Sequence, residues 1–148
     1  MTNPELLKLK ALLVDDDSFV RSTLRQSLIQ IGFPPVNVHE ASDGSEAMRM
    51  TLNVRPHVVL CDIHMPVEDG FAYLLRLRKA PIAEVAAIPV IMLTADSVEK
   101  TVMIAKELYV DGYLVKPVSI DALRRTLGRA LRSALPWPHA ISTITLDG

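Results

Sequence analysis

Five short runs of aliphatic and β-branched residues, each followed by a longer stretch of helical period, constrain this chain more than any other feature of its sequence. The runs are Ala11 to Val14, Val36 to Glu40, His57 to Cys61, Ile88 to Leu93 and Gly112 to Val115. Strands covered on both faces have no side turned to water, so they read as near-continuous apolar segments instead of alternating ones. Such runs in alternation with helices predict an α/β fold on a parallel sheet.

The helical segments carry their own start and stop signals. The first places Phe19, Val20, Leu24, Leu28 and Ile31 on a core face and stops at Gly32, with Pro34 and Pro35 beyond. The second starts at Asp43, with Glu46 three residues on as a capping-box pair, and ends before Pro56. A third is expected from about Phe71 to Lys79, and Asp96 with Glu99 repeats the capping pattern for a fourth. The fifth follows Ser119, with Ile120, Leu123, Leu127 and Leu131 inward and Arg124, Arg125, Arg129 and Arg132 mostly outward.

At 148 residues with 49% hydrophobic content and a net charge of −1, the chain has the profile of one soluble domain and lacks the basic bias of a nucleic-acid binder. The sole cysteine, Cys61, allows no internal disulfide and suits a reducing compartment. No signal peptide is visible and no apolar run reaches the ~20 residues that span a bilayer, so a cytoplasmic location is expected. The expected divisions are an extension at 1–9, the domain at 10–135 and a tail at 136–148. Pro136 and Pro138 bracket Trp137 at the start of that tail, which is read either as docked or as frayed.

In an open parallel sheet, ligands bind beyond the carboxyl ends of the strands, so the residue after each run is the informative one. Asp15, Asp16 and Asp17 follow the first, Asp62 the third, Thr94 the fourth and Lys116 the fifth. Three adjacent carboxylates repel unless a cation sits among them. Mg²⁺ takes octahedral oxygen ligands, commonly one or two carboxylates plus phosphate oxygens. An aspartate can attack phosphorus to form an acyl phosphate, with the metal and Lys116 offsetting charge on the equatorial oxygens. The Thr94 hydroxyl can donate to a phosphoryl oxygen and so report the modification.

With "LLVDDDS", "VVLCDIHMPVEDG", "VIMLTA" and "GYLVKPVS" in that order, the chain resembles a response-regulator receiver domain of two-component signalling over roughly residues 10–132. The resemblance implies a flavodoxin-like five-stranded parallel sheet of order 2-1-3-4-5, with five helices distributed on both faces. It makes Asp62 the phosphoacceptor, and Asp15 and Asp16 the acidic pair for Mg²⁺ or Mn²⁺, with Asp16 the direct ligand and Asp15 often acting through water. Arg21, five residues beyond Asp16, keeps that register, and Asp17 falls in the loop. The backbone carbonyl of His64 becomes the third protein ligand. Thr94 becomes the switch hydroxyl, Lys116 the phosphate-binding lysine, and Tyr113 the aromatic switch that turns inward. The Lys116 to Pro117 bond is commonly cis in such domains.

The implied partners are a histidine kinase or phosphotransfer protein as donor, and a target protein met by the face of the fourth helix, fifth strand and fifth helix. Neither nucleic acid nor membrane is expected as a direct partner, and a dimer is left open. The arginines of the last helix read either as a solvated face or as a basic rim for an acidic partner. The residues after Leu131 are too few for an output domain, so signalling by binding is expected, with a phosphorelay shuttle as the alternative. The chain is expected not to be an enzyme in the usual sense, because it promotes only its own phosphorylation and dephosphorylation.

Plainer readings stand beside these. An acidic cluster after a strand also caps helices, and Asp17 suits that role. Cys61, mid-strand, reads as a small buried hydrophobe. The side chain of His64 reads either as a surface group or as one lying over the site, while His39, His57 and His139 are too scattered for a metal cluster. Tyr109 is bulky where many receivers carry a small residue. A metal-dependent phosphohydrolase also uses clustered aspartates, but Asp15 to Asp17 fit an Asp-x-Asp nucleophile motif poorly. A flavin carrier needs a phosphate loop of hydroxyls and glycine where these acids stand.

Overall fold

The structure is a computed structural model and describes residues 4–95 and 110–134. A 3₁₀ turn at Pro4–Lys8 leads into β1 (Ala11–Val14) and α1 (Ser18–Ile31), and a second 3₁₀ turn at Pro35–Asn37 leads into β2 (Val38–Ala41) and α2 (Gly44–Val54). Then follow β3 (Val58–Asp62), α3 (Gly70–Arg78), a single helical turn α4 (Ala83–Ala86), β4 (Val90–Thr94), β5 (Gly112–Val115) and α5 (Ile120–Ala134). All strand pairs are parallel, and the sheet order is β2-β1-β3-β4-β5, the 2-1-3-4-5 arrangement expected.

Why these residues form this sheet is visible in its two faces. Successive strand side chains alternate sides. Leu13, Val58, Leu60, Ile91 and Leu93 therefore meet α1 and α5 in one cluster, while Leu12, Val14, Val59, Cys61, Val90 and Met92 meet α2 and α3 in the other. Residues 11–14, 58–62 and 90–94 are all buried, as strands covered twice must be. The α2–α3 side also buries one polar pair, in which the Thr51 and Tyr73 hydroxyls lie 2.8 Å apart and Thr51 donates to the Ala47 carbonyl.

Helix entries follow the expected capping chemistry. The Asp17 carboxylate accepts the Phe19 and Val20 N–H groups, and Asp43 accepts that of Glu46 at 2.8 Å. The return arm of the Asp43–Glu46 box is displaced by one residue, because Glu46 accepts from the Ser42 N–H at 2.9 Å. Ser119 caps α5 by accepting the Ala122 N–H at 3.1 Å.

Several boundaries differ from the sequence reading. Pro34 and Pro35 draw the chain into a 3₁₀ turn, so β2 begins at Val38 and Val36 lies 80% exposed. Strands β3 and β4 begin later and run one residue further, to Asp62 and Thr94, and the turn α4 was not anticipated. Phe19 is 76% exposed and not in the core. At 3.6 residues per turn it lies about 140° round the helix from Leu24, whereas Val20 shares the Leu24–Leu28–Ile31 stripe. The helix expected after Asp96, Tyr109, the side chain of Arg132 and the tail with Trp137 lie outside the described residues. Among the described residues no helix is long and apolar enough to cross a membrane.

The segment before residue 10 does more than extend the chain. Leu6 and Leu9 are fully buried in the cluster shared with Leu28, Phe33, Val58 and Leu131. We expect Leu9→Ala to lower the unfolding free energy by about 2–5 kcal/mol, the cost of a core cavity, read as a lower urea midpoint at unchanged slope. A change near zero would make the segment dispensable.

Candidate functional site

Strand register delivers the site. Val14 pairs with Cys61, so Asp15 and Asp62 follow at the same level on adjacent strands, and Asp62 pairs with Leu93, one residue before Thr94. Thr94 in turn pairs with Val115, which precedes Lys116. Between β1 and β3 the order of strand addition reverses, and that crevice is where open α/β sheets hold ligands.

Asp15 is completely buried and every polar group it has is occupied. Its Oδ1 accepts the Asp17 N–H at 2.9 Å and its Oδ2 accepts from Lys116 Nζ at 2.9 Å. Its N–H donates to the Ala41 carbonyl at 3.2 Å, and its own carbonyl accepts from the Arg21 guanidinium. Lys116 Nζ also lies 3.2 Å from Asp62 Oδ1, so one ammonium bridges the two buried carboxylates. Backbone geometry brings it there: the Lys116 N–H donates to the Thr94 carbonyl at 2.7 Å, and the peptide bond to Pro117 is cis.

The electrostatics of this pair are unequal. Burial, and then the charge of Asp15, push the Asp62 carboxyl above its ordinary range, against the opposing pull of Lys116 and a hydrogen bond from the His64 N–H. Burial works against the Lys116 ammonium, but hydrogen bonding to Asp15 and the charges of both carboxylates outweigh it and hold Lys116 above its usual value. Asp62 thus remains the under-compensated acid.

The donor set suits a hard divalent ion. Asp15, Asp16 and Asp62 each offer a carboxylate oxygen, and these all lie within 4.8 Å of one another. Ligands around an octahedral Mg²⁺ at 2.0–2.1 Å sit roughly 3–4 Å apart, so modest side-chain adjustment accommodates one. Asp16 is the exposed member of the three.

The remaining residues singled out from sequence fall around this centre. Thr94 is fully buried at the end of β4. Tyr113, in the middle of β5 opposite Met92, is 38% exposed, an outward position. His64 is exposed, and its N–H meets the Asp62 carboxylate. Cys61 is buried and burial pushes its thiol well up, so it acts as core. Phe19 borders an apolar pocket with Val20, Lys116, Pro117 and Val118.

Two contributors escaped the sequence reading. Gly70 packs so closely on the Asp62 carbonyl that a Cβ there would lie 2.3 Å from the oxygen, while its N–H donates to the Ile63 carbonyl at 2.8 Å. The sequence reading began this helix at about Phe71 and took no account of Gly70. Glu40 binds Arg21, and nothing in a lone strand glutamate signals such a partner.

The sequence pattern of the response regulator receiver domain matches residues 11–128. The probable transcriptional regulator ycf27 of Guillardia theta is 37% identical over 125 residues, 84% of this chain and 46% of that protein. The chain spans about half the length of the transcriptional regulators of this kind that it matches. The probable chemotaxis protein CheY of Rhizobium etli is 32% identical over 81% of this chain and 90% of its own length. Among solved structures, chemotaxis protein CheY4 of Vibrio cholerae is similar with a TM-score of 0.73 at 31% identity, over 83% of this chain and 98% of that one.

The raised carboxyl of Asp62 has a consequence for stability. The folded state holds this proton more tightly than the unfolded chain does, so the group's contribution is most favourable at low pH and falls as pH rises through the raised folded value. In metal-free buffer, Asp62→Asn should therefore be more stable than wild type at neutral pH, with the difference closing below the ordinary carboxylate range. Urea unfolding at several pH values reads this. A variant less stable at neutral pH would mean that Lys116 compensates Asp62 fully.

Proposed function

The chain belongs to the response regulator receiver domain family, and on that premise we propose that it is a phosphorylation-activated switch with Asp62 as phosphoacceptor. The observation that carries this reading is the Lys116 ammonium spanning Asp15 and Asp62, with the exposed Asp16 beside them. An acid poised for attack on phosphorus, a fixed cation and an acidic metal cradle are what phosphoryl transfer to a carboxylate requires.

In this reading a histidine kinase or phosphotransfer protein presents a phosphohistidine. An Asp62 oxygen forms the new bond to phosphorus as the phosphorus–nitrogen bond breaks, and the histidine nitrogen leaves with the electron pair. Asp16, Asp62 and the His64 carbonyl would hold Mg²⁺ or Mn²⁺ directly, with Asp15 behind them through water, and the ion would neutralise charge on the transferring group. Lys116 moves from the Asp62 carboxylate to a phosphoryl oxygen without losing Asp15. Thr94, already buried, donates its hydroxyl to another phosphoryl oxygen. The space it vacates admits the ring of Tyr113, which shifts a pre-existing balance between two surface states. Hydrolysis of the acyl phosphate resets it. The protein promotes these steps on itself and turns over no free substrate.

The output side of the proposal is binding to a target protein in the cytoplasm. Tyr113 lines a groove with Arg125 and Arg129, both exposed on α5, which gives the switching strand a basic border suited to an acidic partner or a second copy.

Intact mass after incubation with Mg²⁺ and acetyl phosphate tests the acceptor. Wild type should gain one phosphoryl group and Asp62→Asn none; equal gain by the variant would place the acceptor elsewhere. Mg²⁺ should also raise the melting temperature by binding the native state. Asp16→Asn should abolish that rise, and an equal rise in the variant would remove Asp16 from the coordination set.

A further inference from the structure

The N–H of Asp15 ends on the edge strand β2, and its carbonyl on an α1 side chain that is itself tied to β2. The N–H donates to the carbonyl of Ala41, the last residue of that strand. The carbonyl accepts from Nη1 of Arg21, whose Nε donates to Glu40 Oε1 at 2.9 Å. The peptide planes on both sides of Asp15 are thereby fixed, including the one that carries Asp16. Asp16 itself is exposed, and its direction depends on that plane.

We propose that Arg21, locked by Glu40, is a positioning residue for the metal cradle: it acts through the Asp15 carbonyl to aim the Asp16 carboxylate. This rests on the reading of Asp15, Asp16 and Asp62 as a Mg²⁺ site. Arg21 suits the task because its planar fork engages a carbonyl and a carboxylate at once, which a lysine does less rigidly. Its side chain is only 17% exposed, so the contact is sheltered from water.

Arg25 supplies the control. It binds the other Glu40 oxygen at 3.2 Å and the Val38 and Pro35 carbonyls, but does not touch Asp15. It therefore holds the same strand to the same helix without reaching the cradle. Loss of either arginine should lower the melting temperature without metal. Only Arg21 should change what the metal experiences.

The experiment is a Mg²⁺ titration of the full chain followed by melting temperature, on wild type, Arg21→Gln, Arg21→Lys and Arg25→Gln. We expect Arg21→Gln to weaken Mg²⁺ binding about tenfold, the scale of losing a group that orients a ligand. Arg25→Gln should change it less than about twofold, and Arg21→Lys should recover part of the loss. Equal weakening by Arg21→Gln and Arg25→Gln would overturn the proposal in favour of a general structural role, as would no weakening in Arg21→Gln. Failure of the wild type itself to bind Mg²⁺ would instead overturn the metal-site reading beneath it.

Discussion

Two carboxylates on neighbouring strands, both turned away from water, repel each other with little solvent to screen them. In this protein the ammonium of Lys116 sits between them, 2.9 Å from Asp15 and 3.2 Å from Asp62. It arrives from the opposite edge of the sheet, a hundred residues along the chain from Asp15. The bridge joins β5 to β1 and β3 at one point, and burial still holds the Asp62 carboxyl above its ordinary range. A buried ion pair of this sort adds little net stability over an apolar filling of the same volume. What it does supply is a defined spacing of two carboxylates around one ammonium.

The rest of the architecture is arranged to keep that spacing rigid. Strand register sets the heights of Asp15, Asp62 and Thr94, and apolar layers on both faces stop the strands from sliding. Close packing of Gly70 on the Asp62 carbonyl fixes the start of the loop that carries His64. The edge strand β2 contributes through Ala41 and through Glu40 acting on Arg21.

Much of this was legible in the sequence because it depends on local pattern. The apolar runs from Ala11 and from Gly112 gave their strands to the residue, and the acids and the lysine after the runs identified one end of the sheet. Aspartates at positions 17 and 43 announced helix starts because capping needs only a few neighbouring residues. What was hidden depends on contacts distant in sequence or on small rotations. Phe19 looked like core because periodicity alone does not say where the stripe is centred. Val36 looked like strand because the two prolines before it can end a turn as well as start an extended run. Glu40 and Gly70 carry no local mark of what they touch, since their partners come from other elements.

The two apolar clusters also differ in how much of the chain each must wait for. Among the described residues, the buried members of the cluster under α2 and α3 run from Leu12 to Met92, whereas those of the cluster under α1 and α5 run from Leu6 to Leu131. A chain made from its amino end therefore holds Asp15 and Asp62 well before Lys116 exists, and the buried members described for one sheet face are all present while those of the other still await α5. The acidic crevice is older, in the life of each molecule, than the cation that tempers it. Domains tend to form as their residues become available, so the last helix both completes the core and secures the strand that brings the counter-charge.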